Sequence, residues 1–147
     1  MDLFRSMAIS GSALTAERLR LDVIANNLAN ASTTRTAQGG PYRRQQVVFT
    51  PRGEETQWMF PGMEAAPKFR GQGVRVAGIT ADASAFKRVY EPGHPDADAS
   101  GYVSYPNVNT VTEMVDMMAA TRAYEANVAA ISAAKAMATA ALDIGRA

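Results

Sequence analysis

A chain of 147 residues with a formal charge of +1 and no cysteine has the size of one domain, and it excludes disulfides, thiolate chemistry and His/Cys zinc sites. Charge stays near balance along its length, with three basic and three acidic groups in residues 1–31, nine and seven in 32–108, and three and four in 109–147. No basic tract is therefore present to hold nucleic acid. The apolar fraction of 47% is weighted toward alanine, above all after residue 119. Alanine favours helix but buries little area, so a large private core is not expected. No apolar run approaches the ~20 residues of a membrane-spanning helix. The opening Met1-Asp2 lacks the basic n-region of a cleavable secretory signal, which fits a cytoplasmic protein or one exported by another route.

Residues 3–30 predict a long helix. Met7, Leu14, Leu21 and Leu28 fall seven apart, Leu3 and Ile24 take the alternate seam position, and Ser10 and Glu17 interrupt it. Gly11 predicts either a close helix approach or a mobile first turn. Ala31–Thr34 should end the helix near Asn30, and Gly39-Gly40-Pro41 signals a turn. Tyr42–Phe49 predicts a strand ended by Pro51, with Arg43-Arg44 as its solvated edge. Residues 51–73, rich in Gly and Pro, predict a long loop.

Strands are expected at Val74–Thr80 and Phe86–Tyr90. Glu91–Pro95 breaks the chain, and Gly101–Tyr105 reads as the return strand of a hairpin. Asn109 or Thr110 should cap the last helix, with Glu113 in its first turn. In 110–144 an apolar stripe of Met114, Met117, Tyr124, Val128, Ile131, Ala138 and Leu142 is interrupted by Thr121 and Lys135, and its many alanines permit close packing. The fold class is α+β. A helical segment, 1–31, and another, 109–147, enclose a loop- and β-rich segment, 32–108. Both helical seams are narrow, which points to a subunit completed by its neighbours.

Catalytic and metal chemistry find little support. His94 is the single histidine and reads as a turn residue between Gly93 and Pro95. Asp96-Ala97-Asp98-Ala99-Ser100-Gly101 follows the first half of a calcium loop, but Asn107 stands where the bidentate Glu belongs; a structural turn is expected instead. Gly71-Gln72-Gly73 has Val76 where a dinucleotide fingerprint needs glycine, and no GxSxG is present. Glu54-Glu55 sits in a polar loop with no apolar pocket to raise a carboxyl pKa. No cofactor, metal or enzymatic activity is expected.

Two stretches now bear on family. Ser12–Leu19 followed by Ala25-Asn26-Asn27-Leu28-Ala29-Asn30 resembles the N-terminal signature of flagellar rod and hook proteins. Thr33–Thr36 with Gly39–Arg44, Pro92–Asp98, Tyr102–Asn109, Glu113–Met118 and Arg122–Asn127 are similar to the proximal rod subunits of the C type. The resemblance covers nearly the whole chain, least distinctly at 51–70. It implies a structural subunit of the flagellar basal-body rod that passes unfolded through the flagellar type III export apparatus and assembles in the periplasm. The terminal helices would pack, coiled-coil-like, in an inner tube with the β part outside. Partners would be other rod subunits, the rod-base adaptor and the membrane ring, and the work would be torque transmission.

On that reading Leu14, Leu21, Ile24, Leu28, Met114, Met117, Met118, Tyr124, Val128 and Ile131 are subunit-interface candidates. The methionines suit packing against non-equivalent surfaces. Asn26, Asn27 and Asn30 join them as contacts or as helix-end caps. A secreted wall-cleaving enzyme sharing axial ends, or a soluble coiled-coil adaptor, are the alternatives.

Overall fold

A computed structural model describes residues 3–53 and 71–145. Helix α1 (Leu3–Ala29) is followed by strands β1 (Gln45–Pro51), β2 (Val74–Ala81), β3 (Lys87–Tyr90) and β4 (Tyr102–Tyr105), then helix α2 (Thr110–Ile144). The α+β arrangement is the expected one. Among the described residues no helix is long and apolar enough to cross a membrane.

Asn30 ends α1 as expected. Its amide nitrogen donates to the backbone oxygen and to Oδ1 of Asn26, while Ala31 N–H donates back to Leu28. At the other end of the chain Asn109 caps α2, its Oδ1 accepting from the N–H groups of Val111 and Thr112. Glu113 stands in that first turn. Its carboxylate faces the interior instead of completing a capping box.

The strands form two separate antiparallel pairs. In the first, β1 and β2 run in register from Gln45–Ala81 to Pro51–Val74, with an irregularity between Val48 and Phe49. In the second, β3 and β4 pair from Lys87–Tyr105 to Tyr90–Tyr102, the hairpin that the sequence predicts. Two boundaries differ from expectation. Tyr42, Arg43 and Arg44 precede β1, because Tyr42 N–H donates to Thr33 and Arg44 N–H donates to Asn107 Oδ1 in place of a ladder. Pro51 ends β1 from inside: it needs no ladder donor as the last strand residue, and Arg52 N–H continues the pairing to Gly73. Of the expected 51–73 loop, residues 54–70, with Glu54-Glu55, lie outside the described residues.

The helices run antiparallel, since Asn27 reaches Glu113 and Arg20 faces Asp116. On α2 the positions that turn inward are Glu113, Met117, Ala120, Tyr124, Asn127, Ile131, Ala134 and Ala138, alternating by four and three residues. That is a heptad seam. It differs from the expected stripe: Met114, Val128 and Leu142 are exposed, and the buried apolar residues are small, Ala120 and Ala134. The buried apolar core among the described residues is Ala16, Val23, Ile24, Val103, Ala120 and Ala134, half of it alanine, so the core is as small as composition implies.

Gly11 is not a close-approach glycine within the subunit, for a Cβ there would meet nothing within 4 Å. Gly73 has that role. Its φ is +100°, and a Cβ would collide with Ser12 Oγ, the atom that also accepts from Val74 N–H. The first sheet is thereby held directly on α1.

Candidate functional site: a polar joint and an unpartnered helix face

A buried polar joint ties the helix pair to the β segment. Asn27 is 1% exposed, and its amide is wholly used. Its Nδ2 donates to Gln45 O at 2.8 Å and to Glu113 Oε2 at 3.0 Å; its Oδ1 accepts from the Tyr42 hydroxyl and from Gln45 N–H, both at 2.9 Å. Two donors and two acceptor positions are the full capacity of a primary amide. Asn27 therefore copies a strand neighbour for Gln45 from the end of α1.

Arg44 is the other centre. Its Nε donates to Glu113 Oε1 at 2.5 Å, its Nη2 to Asp116 Oδ2 at 3.3 Å, and its Nη1 lies 3.7 Å from Asp82 Oδ2. Burial works against the Arg44 charge, but the hydrogen bond to Glu113 and the carboxylates of Glu113, Asp116 and Asp82 outweigh it and hold the guanidinium above its ordinary pKa. Burial, followed by the negative charge of Glu113, raises the Tyr42 hydroxyl. Donors from Ser84, then Arg44, keep Asp82 below the ordinary carboxylate value. Asn107 completes the joint: its Oδ1 accepts from Arg44 N–H, and its Nδ2 reaches Ser84 Oγ at 2.8 Å.

The Arg43-Arg44 pair was expected to be a solvated strand edge. Instead Arg44 is inside the joint, and Arg43 lies 4.4 Å above the Phe86 ring while donating to Asp82 O. Glu113, Tyr42, Asp82 and Asn107 were missed as a group. The available signal was Glu113 itself, a carboxylate on a buried heptad position, which demands a cation.

The second hairpin has its own clamp. Asp98 Oδ1 accepts from Ser100 N–H and Tyr102 N–H, and its Oδ2 from Arg88. Asp96 Oδ2 accepts from Thr34 Oγ1, and its other oxygen lies 3.8 Å from Arg35. His94 Nδ1 accepts from Asp96 N–H. The stretch is a turn whose carboxylates face protein donors. Among the described residues no group of three or more His, Asp or Glu is placed to hold a metal ion.

The interface candidates separate into three environments. Leu14, Leu21, Leu28, Met117, Tyr124 and Ile131 are half-buried, and Ile24 is buried. Asn27 is internal to the joint, whereas Asn26 and Asn30 bond each other at the end of α1. Met114, Met118 and Val128 are exposed, at 53%, 56% and 41%. They continue with exposed Val111 and Val115 into an apolar face of α2 that has no cover within the subunit. Beyond it, α2 outruns α1 by eight residues, 35 against 27, or about 12 Å of helix, carrying exposed Leu142 and Ile144.

Comparison with known proteins agrees at both ends of the chain. Residues 7–35 match the family described as Flagella basal body rod protein, and residues 99–144 the family described as Flagellar basal body rod FlgEFG protein C-terminal. The flagellar basal-body rod protein FlgC of Borreliella burgdorferi is 51% identical over 149 residues, covering 98% of each chain. Those of Bacillus subtilis and Salmonella typhimurium are 46% and 42% identical, each covering 99% of this chain and 100% of the relative.

Proposed function

The chain belongs to the FlgC family of flagellar basal-body rod proteins, and from that premise we propose how its geometry serves a rod. It is a structural subunit of the basal-body rod. Segments 1–31 and 109–147 form the axial part, and 32–108 is carried outside them. Rod subunits turn together, so torsional load must pass between helices of neighbouring subunits and then into the β segment of each.

The observation that supports this reading is the exposed apolar face of α2, Val111, Met114, Val115 and Met118. Leaving such side chains in water forgoes roughly 1.5–3 kcal/mol each relative to full burial, so a contiguous face of them favours association. The joint then has a mechanical role. Asn27 and Arg44 fasten β1 to both helices at once, so rotation of the helix pair carries the β segment with it. Flexible thioethers at Met114, Met117 and Met118 suit contacts with neighbours of differing shape, such as a rod-base adaptor or the next rod subunit. Passage through the flagellar type III export apparatus fits a small, alanine-rich core that unfolds at little cost. The relatives reported above are all named as rod proteins, and none supports a wall-cleaving enzyme or a soluble adaptor.

The test is complementation of a flagellated strain lacking its own FlgC-type subunit. The expected result is restored motility and basal bodies with complete rods that contain this chain. Complete rods formed without the chain in them contradict the proposal.

A further inference from the structure

His94 is the one histidine of the chain, and the polar joint makes no use of it. It is half-buried in the loop between β3 and β4, where two successive turns share it. Its N–H donates to Glu91 O at 3.1 Å, and its carbonyl accepts from Ala97 N–H at 3.1 Å. Between these turns its Nδ1 accepts from Asp96 N–H, also at 3.1 Å. An imidazole nitrogen accepts a hydrogen bond only while it carries no proton, and in the imidazolium both nitrogens are donors. The bond therefore requires the unprotonated ring. Protonation sets one N–H against another.

Asp96 in turn ties this loop to the segment that follows α1. Its Oδ2 accepts from Thr34 Oγ1 at 2.8 Å, and its Oδ1 lies 3.8 Å from Arg35 Nη1. Among the described residues no other hydrogen bond or ion pair joins residues 91–101 to that segment. The titratable and charged groups around the ring are Glu91 and Asp96 of its own loop, Arg35 of the segment after α1, and Tyr105 of β4, whose ring meets His94 edge to face at 6.4 Å. Carboxylates and guanidinium groups keep their charge between about pH 5 and 8. Its hydrogen bond to Glu91 raises the Tyr105 hydroxyl, which keeps its proton there. Histidine is the side chain that exchanges acceptor for donor in that range.

We propose that His94 is a pH-operated latch: unprotonated, it fixes Asp96 so that the Glu91–Gly101 loop is held on Thr34 and Arg35, and protonated, it releases that hold. The bond to Asp96 N–H is present on the alkaline side of the ring's titration and lost on the acid side. The joint around Arg44 and Glu113 contains no imidazole, so helices and first sheet stay coupled while the loop is freed. The loop belongs to segment 32–108, which the rod reading carries outside the helices. The latch therefore alters the outer part of a subunit and leaves its axial part unchanged.

Proton resonances and amide exchange of the full-length isolated chain, followed from about pH 8 to about pH 5, test the latch. The single histidine gives one ring titration to follow. Protection of the Asp96 amide, corrected for the intrinsic pH dependence of exchange, should fall about five-fold or more with the midpoint of the ring. The Thr34 resonances should shift with the same midpoint. His94→Asn supplies a side-chain oxygen that accepts from the N–H two residues on and does not titrate. Its Asp96 amide should stay protected, and its Thr34 resonances constant, across the range. A ring that titrates while Asp96 protection and the Thr34 resonances hold constant overturns the latch. So does an acid loss in His94→Asn equal to that of the parent chain. Titration of ordinary carboxylates lies below this range, near pH 4, and does not mimic the effect.

Discussion

Arg44 Nε and Glu113 Oε1 lie 2.5 Å apart although 69 residues separate them in the chain. The pair joins the segment entering β1 to the first turn of α2, with the Glu113 side chain 1% and the Arg44 side chain 19% exposed. Removing Arg44 leaves Glu113 a buried charge held only by the Asn27 amide, whereas removing Glu113 leaves Arg44 with Asp116 and Asp82.

Arg44→Met should destabilise the isolated subunit by about 3–5 kcal/mol, Glu113→Leu by less, and the double variant by clearly less than their sum. Urea denaturation of the four proteins measures this. Additive losses contradict the pairing.

Two glycines should respond in opposite directions. Gly73→Ala meets both an unfavourable φ of +100° and the Ser12 hydroxyl, so it loses more than about 1 kcal/mol and loosens the first sheet from α1. Gly11→Ala meets open space in a helix interior and should gain roughly 0.5–1 kcal/mol in the isolated subunit. Thermal melts of both variants decide it; equal shifts in one direction contradict the assignment of the close approach to Gly73.

The second hairpin should weaken in acid. Backbone donors from Tyr102 and Ser100, with Arg88 beside them, hold Asp98 below its ordinary value of 3.8. A depressed carboxylate contributes stability that is present above the unfolded value and lost as pH falls through the folded one. Asp98→Asn should therefore flatten the decline in hairpin protection below about pH 4. Amide exchange of β3 and β4 as a function of pH checks it, and an unchanged acid slope contradicts it.

The far end of α2 should be the least protected helix in the isolated subunit. Beyond Ala138 its side chains are all exposed, and Leu142 and Ile144 do not offset the cost of ordering the chain. Amide exchange should be markedly faster after residue 138 than at Ala120. Uniform protection to Ile144 contradicts this.

What was legible in the sequence was local. Heptad spacing from Leu3 to Leu28, the Asn109 cap and the Asp98–Gly101 turn each report themselves within a few residues, so the helices and the second hairpin were readable. The α2 seam was read only in part because hydropathy favours large residues, and Ala120, Asn127 and Ala134 turn inward on account of size and spacing. The joint was not readable from Arg43-Arg44, since nothing near Arg44 in sequence indicates that Glu113 and Asp82 will surround it. Asn27 was read among interface candidates, and its position between Gln45 and Glu113 depends on the antiparallel register of the helices. Pro51 ends β1 as the sequence predicts, standing as its last residue, where no N–H is needed.

The central claim is that the outward face of α2 serves assembly and not the subunit's own fold. Met118→Asp tests it most directly, because Met118 is 56% exposed within the subunit. The isolated variant should melt within about 0.5 kcal/mol of the parent, as an exposed substitution does, while basal bodies from a strain carrying it should lack complete rods and the cells should not swim. Complete rods and normal swimming from this variant would contradict the account.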